Sequence, residues 1–315
     1  MRLVVLDGYT LNPNDNPWTE LARLGDLTVY DRTRPDQVVA RTSGADIALT
    51  NKTKLDAAAI AALPALQFVS VLATGYDIVD VAAARARHIP VSNVPEYSSA
   101  DVAQHTLALL FEICTRTGDH ARAVAAGDWS RAPDFCFWLS APVALDGLSL
   151  GLVGYGRIAQ RVAAIGRALG MRILASTPNR HGDPDAWREI PELFAEADVV
   201  SLHCPLTPSN ARFVDADLLA RMKPTAFLIN TARGGLIDEP ALAAALCAGQ
   251  LAGAGLDVLS REQPPSDHPL IGAPNCVITP HIAWASLPAR KRLMAATVKN
   301  VSAFIAGEPV NVVNP

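Results

Sequence analysis

The sequence predicts an α/β chain built from two doubly wound parallel-sheet domains. Short β-branched runs alternate with Ala- and Leu-rich helical patterns from Arg2 to Asn93, and the same alternation restarts at Leu148 after an irregular stretch. A glycine-rich turn, Gly154 to Gly156, also falls directly between a strand pattern and a helical pattern.

In the first domain the pattern places strands near residues 3–6, 27–30, 47–50, 67–72 and 89–92, with helices at 36–42, 55–63 and 79–87. Parallel strands joined by helical crossovers present ligands at their carboxyl ends. There the chain carries Asn51-Lys52-Thr53 and Ala73-Thr74-Gly75-Tyr76. The start Ser98-Ser99-x-Asp101 caps a long apolar helix reaching Thr115, which joins the two domains. Residues 119–146 then hold Trp129, Phe135, Phe137 and Trp138 with no clean period. That density fits either an arm packing on another subunit or a satellite core beneath a long loop.

The second domain has strands expected near 148–153, 171–176, 199–202, 226–229, 253–258 and 277–279, and a helix at 157–169 stopped by Gly170. A last long helix, 287–304, ends at Gly307, after which residues 309–315 are placed to rejoin the first sheet. The expected boundaries are 1–98 plus 284–315 for a discontinuous first domain, and 99–283 for the second, with the arm at 119–146.

The chain has 315 residues, half of them apolar, and 27 basic against 31 acidic side chains for a net charge of −4. This excludes the disordered, fibrous and disulfide-rich classes and leaves no basic footprint for nucleic acid or anionic membrane. Leu3 to Leu6 is too short for the apolar core of a signal peptide, and no apolar run approaches the ~18 residues of a membrane span. Five cysteines without a CxxC pair point to reduced thiols in the cytoplasm and to no metal site. The expected partners are small molecules and a second copy of the chain.

Gly154-Tyr155-Gly156-Arg157-Ile158-Ala159 reads G-x-G-x-x-A after a strand and at the start of a helix. In that context glycines let backbone N–H groups and the helix N-terminus approach a dinucleotide pyrophosphate. An acid about 20 residues further on normally accepts the adenosine 2′-hydroxyl of NAD. Here no carboxylate stands between Gly156 and Asp183, and the second strand ends in Ser176-Thr177-Pro178-Asn179-Arg180. A carboxylate repels a 2′-phosphate whereas Arg180 pairs with one, so Thr177, Asn179 and Arg180 predict NADP(H) over NAD(H). The alternative is an exposed Arg180 and relaxed selectivity, with NAD(H) also accepted.

Three further strand-end loops each carry one ionisable group: Asn230-Thr231-Ala232-Arg233-Gly234-Gly235, the segment from Asp257 through Glu262 to Pro264, and Thr279-Pro280-His281. With Ala73 to Tyr76, these segments resemble the D-isomer-specific 2-hydroxyacid dehydrogenase family over essentially the whole chain. Within it they are most similar to glycerate dehydrogenases, also called hydroxypyruvate or glyoxylate reductases.

The resemblance implies a flavodoxin-like substrate domain and a Rossmann cofactor domain. It implies that Arg233 binds the substrate carboxylate or polarises the keto oxygen, that His281 protonates that oxygen, and that Glu262 holds the imidazole and favours its charged form. It further implies carboxylate binding by the backbone of Ala73, Thr74 and Gly75, and contact of Asp257 with the nicotinamide carboxamide. Cofactor walls fall at His203, Cys204 and Pro205 and at Thr231 and Ala232. Lys52 reads either as charge near the substrate or as a solvated loop lysine. His203 also ends a strand and competes with His281, but no Glu-bearing loop accompanies it in the family pattern. The arm is implied to form a homodimer, with Trp138 matching an aromatic that borders the partner's pocket and restricts it to small substrates. The expected reaction is NADPH-dependent reduction of hydroxypyruvate or glyoxylate. An NAD-linked phosphoglycerate or lactate dehydrogenase and a non-enzymatic dinucleotide sensor are the alternatives.

Overall fold

The computed structural model describes residues 1–182 and 184–315, so Asp183, which bounds the carboxylate-free stretch, lies outside the described residues. The chain divides into two compact units, Met1–Ser98 with Trp284–Pro315, and Ser99–Ala283.

The first unit is a five-stranded parallel sheet of β1 (Arg2–Val5), β2 (Asp26–Val29), β3 (Ile47–Thr50), β4 (Phe68–Val71) and β5 (Val91–Ser92), in the order β2-β1-β3-β4-β5. That is the flavodoxin-like winding. All four residues of β3 and of β4 are buried, because a parallel sheet covered on both faces needs continuous apolar runs rather than alternation. Helices start where acids cap them: Asp56 accepts from Ala59 N–H at 2.8 Å and Asp80 from Ala83 N–H at 2.9 Å. The C-terminal helix Leu287–Ile305 covers one face, with Leu293 and Val301 fully buried and Phe304 stacked on Phe68 at 4.5 Å.

The tail then docks on β5. Ser92 Oγ donates to Val310 O at 2.6 Å, Val313 N–H donates to Val91 O, and the Asn314 carboxamide accepts from Val91 N–H at 2.7 Å while donating to Ile89 O at 3.0 Å. Edge strand β5 therefore carries no open edge along these residues.

The second unit is a seven-stranded parallel sheet: β6 (Ser149–Val153), β7 (Arg172–Ser176), β8 (Ala186–Trp187), β9 (Val199–Leu202), β10 (Phe227–Asn230), β11 (Gly253–Leu256) and β12 (Cys276–Ile278). Their order, β12-β11-β10-β9-β6-β7-β8, is the doubly wound dinucleotide arrangement with one further strand. The switch in winding direction falls between β6 and β9. Helix Arg157–Ala168 packs against Ser99–Thr115, burying Ala159, Val162, Ala163, Leu107 and Leu110 in one cluster.

The sequence reading of the strands shifts by a residue or two, and it passes over β8, whose two residues carry no period of their own and pair only with β7. It also names no helix at Ile190–Glu196, Ala216–Leu219 or Glu239–Cys247, all of which form. Residues 119–146 contain helices Thr117–Ala125 and Asp128–Arg131 and otherwise irregular backbone. Phe135 is 90 % exposed and Trp138 64 % exposed, so among the described residues nothing covers these two side chains, whereas Phe137 is half-buried beside His120.

Asn314→Ala strips the acceptor from the buried Val91 N–H and the donor from Ile89 O. We expect a loss of about 1–3 kcal/mol, read as a lower urea midpoint, while Asn314→Asp retains part of the bond to Val91.

Candidate active site and cofactor cradle

Strand register builds the site edge of the second unit. Val153 pairs with Ser176 and Leu202, Leu202 with Asn230, Asn230 with Leu256, and Leu256 with Ile278. The residues that follow (Gly154, Thr177, His203, Thr231, Asp257 and Thr279) consequently leave the sheet at one level along its carboxyl edge. Arg233, Glu262 and His281 lie on the loops after three adjacent strands, β10, β11 and β12.

The glycine turn has the shape a pyrophosphate requires. Gly154 adopts φ +87°, and a Cβ there would come within 2.7 Å of His203 O, so only glycine allows the turn to press on the end of β9. At Gly156 an added Cβ would meet nothing within 4 Å, leaving open space before helix Arg157–Ala168. No side chain of Gly156 caps that helix, and its first turn carries no acid, so its orphan N–H groups and dipole are presented to an anion. Ala159, at the third fingerprint position, is fully buried. These residues fit a bound dinucleotide.

At the end of β7, Ser176 is buried, Thr177 half-buried, and Asn179 and Arg180 exposed. Arg180 pairs with Glu189 at 3.2 Å. Glu189 lies nine residues beyond Arg180, outside the stretch from Gly156 to Asp183 that the sequence leaves free of acid.

Asp257 is buried, and its carboxylate is a knot for the β12 loop. Thr279 Oγ1 donates to Oδ1 at 2.6 Å, Ile282 N–H donates to Oδ1 at 2.9 Å and Ala283 N–H to Oδ2 at 2.9 Å. His105, from helix Ser99–Thr115, reaches Thr279 Oγ1 at 2.9 Å and lies 3.4 Å from Asp257 Oδ1. Burial pushes this carboxyl up, but the hydrogen bonds from His105, Thr279, Ala283 and Ile282 outweigh it and hold the group below the usual carboxylate value.

His281 sits in the middle of this clamp with φ +55°, its N–H bonded to Asp257 O and Thr279 O. A non-glycine residue there is strained and persists because the clamp over-determines it. Its Nδ1 is hydrogen-bonded to Glu262 Oε1. That contact fixes which ring nitrogen faces away from the acid, since Nδ1 is occupied.

Glu262 is supported from behind. Glu239, buried at the start of helix Glu239–Cys247, accepts from Ser260 N–H at 2.6 Å and from the Ser260 hydroxyl, and meets His268 Nε2 at 3.1 Å. The Arg233 loop locks against the same segment: a Cβ on Gly234 would stand 1.9 Å from Leu259 C. Within its own loop, Asn230 accepts from Ala232 N–H and donates to Arg233 O, while Arg233 Nη1 donates to Ala232 O.

His203 has a different character from His281. Desolvation pushes its imidazole down to about 4, and Ser201 Oγ lies 2.9 Å from Nε2. It is neutral near neutral pH and cannot supply a proton from an imidazolium. Burial likewise pushes the neighbouring Cys204 thiol up, so it stays protonated. Thr231 Oγ1 lies 3.0 Å from Thr106 Oγ1, and Ala232 is half-buried.

In the first unit, Asp7 organises the loop that bears Lys52. Its carboxylate accepts from the N–H groups of Asn51 at 2.8 Å, Lys52 at 2.6 Å and Thr53 at 2.7 Å, and Lys52 itself is exposed. Ala73 and Gly75 are half-buried and Thr74 is exposed, its hydroxyl donating to Val94 O at 2.8 Å. The sequence shows no role for Asp7, His105, Glu239 or His268, nor the contacts of Thr279 and Ser260, because these come from partners 21 to 174 residues away in the chain. Among the described residues no cluster of His, Cys, Asp or Glu could hold a metal ion, and no helix is long and apolar enough to cross a membrane.

Fold and site together define a dinucleotide-dependent dehydrogenase, and comparison with known proteins specifies the family. Residues 107–283 match the D-isomer specific 2-hydroxyacid dehydrogenase, NAD binding domain. The chain is 46 % identical over 321 residues to the hydroxypyruvate reductase of Blautia hydrogenotrophica, covering 100 % of both. It is 40 % identical over 281 residues to the glycerate dehydrogenase of Methylorubrum extorquens, covering 89 % of this chain and 88 % of the relative. Among solved structures, the NADPH-dependent glyoxylate/hydroxypyruvate reductase of Sinorhizobium meliloti in complex with NADP and malonate superposes with a TM-score of 0.86 at 31 % identity, covering 99 % of this chain and 96 % of that one. The chain belongs to the D-isomer-specific 2-hydroxyacid dehydrogenase family.

The depressed His203 value makes a pH prediction. Between about pH 6.5 and 4 an unfolded chain protonates this histidine while the folded one does not, so stability falls as pH drops through that window and levels off below it. The full loss is about 3 kcal/mol from a shift of this size at 1.36 kcal/mol per unit. His203→Asn should flatten that part of the curve in urea melts taken at stepped pH.

Proposed function

We propose that the enzyme reduces a small 2-keto acid, hydroxypyruvate or glyoxylate, to the D-2-hydroxy acid, with NADPH preferred and NADH accepted less well. The observation that carries the reaction is the His281–Glu262 pair, on the loops after β12 and β11, beside the Arg233 loop after β10. A bound nicotinamide supplies the hydride.

Arg233 binds the substrate carboxylate and polarises the keto oxygen. His281, with Nδ1 held by Glu262, donates the proton on Nε2 to that oxygen as it gains negative charge. Glu262 holds the ring at Nδ1 and keeps it from turning. Asp257 and Thr279 hold the backbone from which His281 projects.

The cofactor rests on Gly154, Tyr155, Gly156, Arg157 and Ile158. His203, Cys204, Pro205, Thr231 and Ala232 would form its walls, with Asp257 on the side that would take the nicotinamide carboxamide. Thr177, Asn179 and Arg180 receive the 2′-phosphate, supported by the absence of any carboxylate from Gly156 to Arg180. Carboxylate binding is also assigned to Lys52 and to the backbone of Ala73, Thr74 and Gly75.

The exposed aromatics of residues 119–146 support a homodimer in which Trp138 borders the partner's substrate pocket and favours small acids. Five free cysteines, two of them exposed, support a cytoplasmic location.

The test is nicotinamide oxidation with NADPH and NADH, each offered hydroxypyruvate, glyoxylate, pyruvate and phenylpyruvate. We expect fastest turnover for the two small acids with NADPH, and a swing towards NADH in Thr177→Asp. An NADH preference in the unaltered enzyme removes the cofactor assignment, and cofactor binding without turnover on any acid removes the reaction. His281→Ala should lower kcat by about 10² to 10⁴ with cofactor affinity retained. Unchanged turnover would take His281 out of the mechanism.

A further inference from the structure

The carboxylate missing from the end of β7 has a counterpart on the neighbouring strand. Ala175 pairs with Trp187, and Arg188 N–H donates to Ala175 O at 2.9 Å. Continuing that parallel register for two residues brings Glu189 level with Thr177, at the sheet edge where the 2′-position of an adenosine ribose is expected.

Glu189 does not stand there idle: its Oε1 lies 3.2 Å from Arg180 Nη2. The Arg180 guanidinium also sits 6.0 Å from the Trp187 ring, and that ring meets Tyr155 of the glycine turn edge-on at 5.6 Å. Tyr155, Trp187, Arg180 and Glu189 thus form a continuous chain of contacts from the pyrophosphate turn to the selectivity loop. Among the described residues, the other acids nearby have partners of their own, Glu192 accepting from Glu189 N–H at 3.3 Å. Asp185 accepts from Ile173 N–H at 2.6 Å and faces Arg167, and Glu196 pairs with Arg172 and Arg188.

We propose that Glu189 is a specificity-determining residue that occupies Arg180 as an internal stand-in for the 2′-phosphate, so that NADPH must displace it whereas NADH need not. The pair suits this role because both side chains are more than half exposed. Such a contact is weak enough to exchange, yet it orients Arg180 towards the sheet edge when no phosphate is present. Glu189 therefore reduces the discrimination that Arg180 alone would produce. The inference rests on the assignment of Arg180 to the 2′-phosphate.

The experiment is calorimetric titration of the full chain with NADPH and with NADH, for the unaltered protein, Glu189→Gln, Arg180→Gln and the double variant. No substrate is needed, so the readout is independent of turnover. Glu189→Gln should tighten NADPH binding about two- to fivefold and leave NADH unchanged. Arg180→Gln should weaken NADPH on the order of tenfold, and adding Glu189→Gln to it should bring no further gain. If Arg180→Gln weakens NADPH but Glu189→Gln leaves it unchanged or weaker, the stand-in role is wrong while the phosphate assignment survives. If Glu189→Gln instead weakens NADH, Glu189 is the acceptor for the ribose hydroxyl and the proposal is overturned. If Arg180→Gln leaves NADPH unaffected, the phosphate assignment itself fails and the stand-in role falls with it.

Discussion

The buried carboxylate of Asp257 is the constraint on which the catalytic edge depends. One side chain, at the end of β11, accepts hydrogen bonds from Thr279, Ile282 and Ala283 on the loop after β12. A buried charge is tolerated only when it is this fully bonded. Those bonds force His281 into a left-handed conformation that its own preferences disfavour. The imidazole therefore has one place to go, and Glu262 meets it there. The strain at His281 is balanced by the bonds to Asp257.

The same device recurs with other residues. Glu239 ties Ser260 and His268, steadying the segment that carries Glu262. Asn230 ties its own loop on both sides of Ala232, placing Arg233. Asp7 gathers three successive N–H groups around Lys52. In each case a short acid or amide at a strand end or helix start converts a flexible connection into a fixed platform. Positioned groups of this kind do chemistry without reorganising at the moment of reaction. The cofactor cradle uses the complementary device, absence of side chains: Gly154 lets two strand ends approach, and Gly156 keeps the helix terminus open.

Part of this is legible in the sequence. The β-branched runs at β3, β4 and β9 are buried throughout and could hardly be anything but central strands. The glycine turn lies in a segment whose local pattern states its chemistry, while Arg233, Glu262 and His281 stand out through the family resemblance of their loops. Less legible were β8, too short to show a period, and helix Glu239–Cys247, whose apolar residues surround it so that no face stands out. His105 reads as a lone histidine on an apolar helix, and nothing nearby in sequence announces that it reaches Thr279 across 174 positions.

The sequence alone determined the fold class and the glycine turn, and it singles out Arg233, Glu262 and His281 as candidates. These follow from local periodicity and from side-chain chemistry, both of which are written residue by residue. Tertiary structure decided how the two strand-end histidines differ, because desolvation of His203 and the carboxylate beside His281 arise from neighbours distant in the chain. It likewise decided that Arg180 has a partner. Parallel strand register sets Glu189 beside a loop nine residues earlier, and register is a property of the assembled sheet.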